Sequence, residues 1–79
     1  MLRIETIERA VIDGEDSPWR VYAGGPAPRL WTPLMSVDAA RRVADEARAR
    51  LIDENLFNGV EIRYTKFRTV CGVEIIPKR

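Results

Sequence analysis

The sequence predicts an α+β fold: a four-stranded, mainly antiparallel sheet with one helix packed on a face, in β-β-α-β-β order. Two features point to it. Between Ser36 and Asn58 the apolar residues recur at helical spacing, while on either side short segments alternate apolar and polar residues. Clusters of Gly, Pro, Asp and Asn separate these segments at positions suited to turns. With 79 residues there is room for one hydrophobic core, so residues 1–79 are expected to form a single small domain.

Residues 2–12 are expected to be a strand. Leu2, Ile4, Thr6, Ala10 and Ile12 make the more apolar face, broken by Glu8, and Ile7 and Val11 fall on the other, as in a bulged strand. The stretch "DGEDSP", Asp13–Pro18, supplies a turn, and "WRVYA" follows as a second strand that closes a hairpin with the first. "GGPAPR" (residues 24–29) ends that strand. Pro33 excludes a central strand for "LWTPLM", leaving an edge segment or an extended lead-in to the helix. Ser36 is the expected N-cap, with Asp38 in the first turn where a negative charge suits the helix dipole. Val37, Ala40, Ala44, Ala47 and Leu51, with Val43 beside them, form the buried stripe, whose small side chains suit a helix lying close to a sheet.

The opposite helix face is charged, with Asp38–Arg42, Arg42–Glu46, Glu46–Arg50 and Arg50–Glu54 at four-residue spacing. Each such pair contributes only about 0.2–0.5 kcal/mol, which describes a solvated face. The helix is expected to stop near Asn55–Asn58, with Gly59 in the left-handed closing position. After it Val60, Ile62 and Tyr64 share one parity, whereas Phe67, Thr69, Cys71, Val73 and Ile75 share the other. Either a turn near Thr65–Arg68 between two final strands or a bulge in one long strand accounts for the change of phase, and the turn is the expectation.

Composition narrows the chemistry. The chain has no histidine, so Ser-His and Cys-His nucleophile pairs and the commonest zinc sites are absent. Of the two serines, Ser17 lies in a turn and Ser36 serves as a cap. The helix carboxylates are matched by arginines, and "DGED" lacks the spacing of a calcium loop. "AGGPAPR" is followed neither by Lys-Ser or Lys-Thr nor directly by a helix, as a phosphate loop requires. The lone Cys71 falls at a buried strand position and reads as an inert core thiol. No enzyme activity, metal or cofactor is expected from this inventory. A single thiol, no apolar leader and no run near the roughly 20 residues of a membrane span give a cytoplasmic expectation. Frequent Arg and Ala with few Lys suggest a GC-rich bacterial or phage genome.

The net charge of +1 hides an asymmetry. Residues 1–19 carry a balance of −3 and residues 60–79 one of +3, which would pair if the two ends met in one sheet. Two candidate surfaces follow. In "PAPRLWTPLM", the residues Arg29, Leu30, Trp31, Leu34 and Met35 place large apolar groups and an arginine in a segment too proline-rich for a regular core strand. That combination suits a protein-binding site with Trp31 and Arg29 as anchors, or else a lid on the core. In "RYTKFR", Arg63, Tyr64, Lys66 and Arg68 with Phe67 suit a nucleic-acid backbone and a stacked base, although the glycine and aromatic spacing of RNA-recognition strands is missing. There the competing expectation is a core aromatic pair with the basic residues on the wet side, matched by Glu5 and Glu8.

In length and in placing one helix among antiparallel strands, the chain resembles small phage-borne proteins, among them inhibitors of bacterial CRISPR defence. The resemblance implies a protein that works by occupying a host surface, and it assigns no residue. The expected function is therefore a non-catalytic protein-binding module whose partner is another protein, a second copy of the chain included. Nucleic-acid binding through residues 63–68 is the alternative, followed by a subunit that completes an enzyme site only in an oligomer.

Overall fold

A computed structural model of the chain describes residues 2–79. The elements run α1 (Ile4–Val11), β1 (Arg20–Tyr22), β2 (Arg29–Trp31), β3 (Met35–Ser36), α2 (Val37–Asp53), a 3₁₀ turn at Phe57–Gly59, β4 (Val60–Phe67) and β5 (Val70–Pro77). Every strand pairing among the described residues is antiparallel. β5 is central: β4 runs along the whole of one edge, and β2 and then β3 share the other, with β1 outside β2. The protein is thus an α+β domain with a helix packed on a sheet face.

Residues 2–12 are not a strand. Ile4, Ile7 and Val11 are spaced by three and four, and as a helix they bury together against the sheet and α2 while Glu5 and Arg9 stay in solvent. The alternation had two faulty positions, Ile7 and Val11, and these are the ones a helical period explains. The hairpin expected between residues 2–12 and 19–23 is therefore replaced by one between β1 and β2, closed by the Gly/Pro loop of residues 23–28. Nor do the acidic start and basic end pair in a sheet: Glu5 meets Arg3, and Asp13 meets Arg50 of α2.

α2 begins as its sequence dictates, with the Ser36 Oγ accepting from the Ala39 N–H at 3.2 Å. Ala40, Ala44, Ala47 and Leu51 are fully enclosed, sharing one cluster with Leu30, Val73 and Ile75 of the sheet. The helix closes earlier than Gly59: Asn55 takes the left-handed conformation with φ of 61°. Gly59 serves another end, because a Cβ there would lie 2.6 Å from a Leu2 methyl. None of the four expected four-residue ion pairs closes among the described residues. Arg48 instead meets Asp45 at 2.9 Å, and Arg50 reaches the Asp13 loop, also at 2.9 Å.

The second hairpin forms around Arg68–Thr69, with Phe67 opposite Val70. Facing residues sum to an odd number across this loop, so the buried side moves from even positions on β4 to odd ones on β5. That is the phase change visible in the sequence.

Pro33 marks a break rather than an edge. β2 lies inside the sheet, between β1 and β5, and only β3 is an outer segment that leads into α2. Leu30 faces Ile75 and Met35 faces Cys71, so the pairing slips by one residue between them, as in a bulge. The slip keeps both Leu30 and Met35 on the helix side. At the break, Thr32 replaces the lost ladder. Its N–H donates to the Val73 carbonyl at 2.9 Å, and its Oγ1 accepts the Val73 N–H at 3.0 Å. The hydroxyl proton goes to the Pro33 carbonyl at 3.1 Å, so this buried group both donates and accepts.

Thr32→Val, which keeps the shape and removes the acceptor, is expected to cost about 1–3 kcal/mol in urea unfolding, with Thr32→Ser close to wild type. Ala44→Leu is expected to cost about 1–3 kcal/mol by forcing α2 away from β5, measured the same way.

Candidate protein-docking face

Strand alternation sends the residues that face away from the helices onto one uncovered surface. The register aligns Arg20, Trp31, Glu74 and Arg63 in a row across β1, β2, β5 and β4. On one side of this row Tyr22 faces Arg29 and Ile76 faces Glu61, and on the other Thr65 faces Gly72 and Phe67 faces Val70. Trp31 is 40% exposed, Leu34 51% and Phe67 59%, and Tyr22 is similarly open.

Gly72 makes the face concave. A Cβ at this position would lie 3.1 Å from the Thr32 carbonyl oxygen and 3.6 Å from a Leu34 methyl, so a side chain here would press the bulged segment back by a few tenths of an ångström. The result is an open depression of about 220 Å³ walled by Trp31, Leu34, Thr65 and Glu74. Along one rim, Arg29 donates to Glu74 at 2.7 Å and to the Ala27 carbonyl at 3.2 Å, so its guanidinium is held in place. On the far strand, Arg63 donates to Glu61 at 2.6 Å. This bond is the main reason the Glu61 carboxyl lies below its ordinary pKa and Arg63 above its own. A depressed carboxyl keeps its charge as pH falls until below the usual glutamate range, so the pair persists at neutral and mildly acidic pH. Both groups are exposed, and the pair orients charge more than it stabilises the fold.

The expected protein-binding residues divide. Arg29, Trp31 and Leu34 come together on the uncovered face. Leu30 is wholly enclosed in the core, and Met35 is half-buried against it, so neither offers a partner a free side chain. The nucleic-acid alternative divides too. Arg63 shares the uncovered face with Phe67, whereas Tyr64 and Lys66 point to the other side of β4, and Arg68 sits at the hairpin tip. Arg63 is engaged by Glu61, not by Glu5 or Glu8. Tyr64 and Phe67 are both exposed rather than core, for different reasons: Phe67 lies on the helix-free face, and Tyr64 lies on the helix side but beyond the part of β4 that the helices cover. Sequence reasoning passed over Thr32, Tyr22, Glu74 and Gly72. The parity of Tyr22 with Arg20 was legible, but the other three act only through strands distant in sequence.

Cys71 is buried, its Sγ 3.4 Å from the Gly72 carbonyl, as expected of a core thiol. Among the described residues no group of three or more acidic, cysteine or histidine side chains is placed to hold a metal ion, and no helix is long and apolar enough to cross a membrane. A separate cleft of about 210 Å³ lies between the Asp13–Trp19 loop and α2, where Arg50 is tied to Asp13. What fold and face together define is a small α+β protein with one helix-covered and one open sheet surface. Comparison with family models, curated proteins and solved structures finds no match.

Arg68 adds local strain at the hairpin tip: its φ is 58°, left-handed for a residue with a Cβ, and its guanidinium lies 5.6 Å from the Phe67 ring centre. Arg68→Gly is expected to raise stability by up to about 1 kcal/mol in urea unfolding, as relief of the backbone outweighs an exposed cation–ring contact.

Proposed function

We propose that this chain is a non-catalytic protein-binding module that acts by occupying a partner's surface with its helix-free sheet face. The observation that carries this reading is the exposure of Trp31 and Leu34 around the Gly72 depression, beside an Arg29–Glu74 pair already held in position. Exposed apolar groups gathered on one face of a small protein are a common mark of a docking surface. Covering either side chain recovers about half of the roughly 1.5–3 kcal/mol that complete burial supplies, because each is about half covered already. Tryptophan and arginine with restrained geometry lose little freedom on docking, which suits them as anchors. The charged residues around them, Arg20, Arg29, Glu61, Arg63 and Glu74, set orientation. The resemblance to small phage-borne inhibitors agrees with a module that blocks a host complex in the cytoplasm, and no cofactor enters this mechanism.

The test is a differential capture from the native host. Wild type, a Trp31→Ser/Leu34→Ser double variant and an Ile52→Ser control would each be used as bait. Ile52 is equally exposed but lies on α2. A protein retained by wild type and the control, lost by the double variant, and confirmed by at least a tenfold loss of affinity between purified components is the expected result. Loss with the control as well, or a nucleic acid whose binding falls steeply with salt and with Arg63→Glu/Lys66→Glu, overturns the reading.

A further inference from the structure

β4 is the long free edge of the sheet. It runs unbroken through eight residues, pairs with β5 alone, and carries no bulge, whereas the other edge is made of β1 with three residues and β3 with two. The phase of its hydrogen bonds follows from one contact: the Gly59 carbonyl accepts the Lys78 N–H at 2.9 Å. Alternation along an antiparallel pair then turns Glu61, Arg63, Thr65 and Phe67 toward β5. It leaves the N–H and C=O groups of Ile62, Tyr64 and Lys66 pointing outward. Residues 63–69 are exposed on both faces, so neither helix stands in the way of a further strand.

We propose that β4 pairs antiparallel with β4 of a second copy of this chain, with Thr65 facing Thr65 on a twofold axis normal to the sheet. Such an axis requires facing residues to lie on the same side, so it must pass through a residue. An axis at Arg63 opposes two guanidinium groups. An axis at Tyr64 sets Lys66 against the apolar Ile62 and Glu61 against the Phe67 ring. At Thr65 every pair that falls within both copies of β4 is favourable: Tyr64 meets Lys66, Arg63 meets Phe67, and two threonines meet at the centre, each relation occurring twice except the last. The cations that would repel a misregistered strand are here placed over rings rather than over one another. Tyr64 and Lys66, whose backbone groups point outward, form the hydrogen-bonded pairs. The joined sheet brings both helix-free faces to the same side. The pairing stands on the edge geometry and does not depend on the docking role of that face.

Sedimentation of the full chain across the micromolar range, with unfolding temperature measured in parallel, tests the pairing. Wild type is expected to move from monomer to dimer mass with rising concentration, and Thr65→Lys to stay at monomer mass with an unchanged unfolding temperature. Under mild oxidation Thr65→Cys is expected to give a disulfide-linked dimer, since its side chains face one another across the axis, and Tyr64→Cys to remain unlinked. Wild type at monomer mass throughout, a Thr65→Lys protein that still dimerises, or a Tyr64→Cys protein that links while Thr65→Cys does not, each overturns it. The Thr65→Cys readout stands by itself if the lysine variant fails to fold.

Discussion

The protein depends on β5 being paired along both edges. A strand of this kind has no free backbone groups to satisfy elsewhere, and its alternate side chains become the common floor of everything packed above it. Cys71, Val73 and Ile75 form that floor, and both helices rest their apolar stripes in the cluster that contains it. One edge is supplied by a local hairpin with β4. The other must be assembled from a segment that contains a proline, and there a side chain takes over the role of the main chain. The Thr32 hydroxyl accepts the Val73 N–H that no carbonyl reaches, and the one-residue slip carries the segment onward into α2.

The same alternation that builds the core creates the open face. Each residue of β5 turned toward α2 has a neighbour turned away, so Glu74 is partly exposed on the far face, and Gly72 forms its floor beneath Thr32 and Leu34, because Cys71, Val73 and Ile75 point to the core. Alanines let α2 lie close to the sheet, and a glycine lets the bulged segment lie close to β5 on the far side. In both places a small side chain permits backbone approach, and what borders the approach is large: Leu51 and Ile7 on one side, Trp31 and Leu34 on the other. The face is consequently shallow and firm, as suits contact with another macromolecule more than enclosure of a small one.

Stability in so small a domain rests on a limited number of enclosed groups, among them Ile7, Leu30, Leu51, Val73 and Ile75. The ion pairs add little. Most join exposed side chains, and the partly covered Arg29–Glu74 pair stands out because Arg29 is also bonded to the Ala27 carbonyl. The eight-residue free edge of β4 is the feature on which the proposed pairing of two copies rests.

By itself the sequence determined α2, its cap at Ser36, its buried alanines, and the reversal of phase between β4 and β5. These features are set by neighbours three or four residues apart, or by a turn, and local physics decides them. It also singled out Arg29, Leu30, Trp31, Leu34 and Met35, since a proline-broken segment with large apolar groups is unusual wherever it lies, but it did not separate Leu30 and Met35, which turn to the core, from the other three. Tertiary structure alone decided that residues 4–11 coil, that Leu30 is enclosed while Trp31 beside it is not, and that Tyr64 and Phe67 are both bare. A short stretch with mixed periodicity is stable in either form, and only the surface offered by β5 and α2 selects between them. Whether a strand residue is covered depends on which face of the sheet it takes and on how far a helix reaches across that face, and both are properties of the assembled fold.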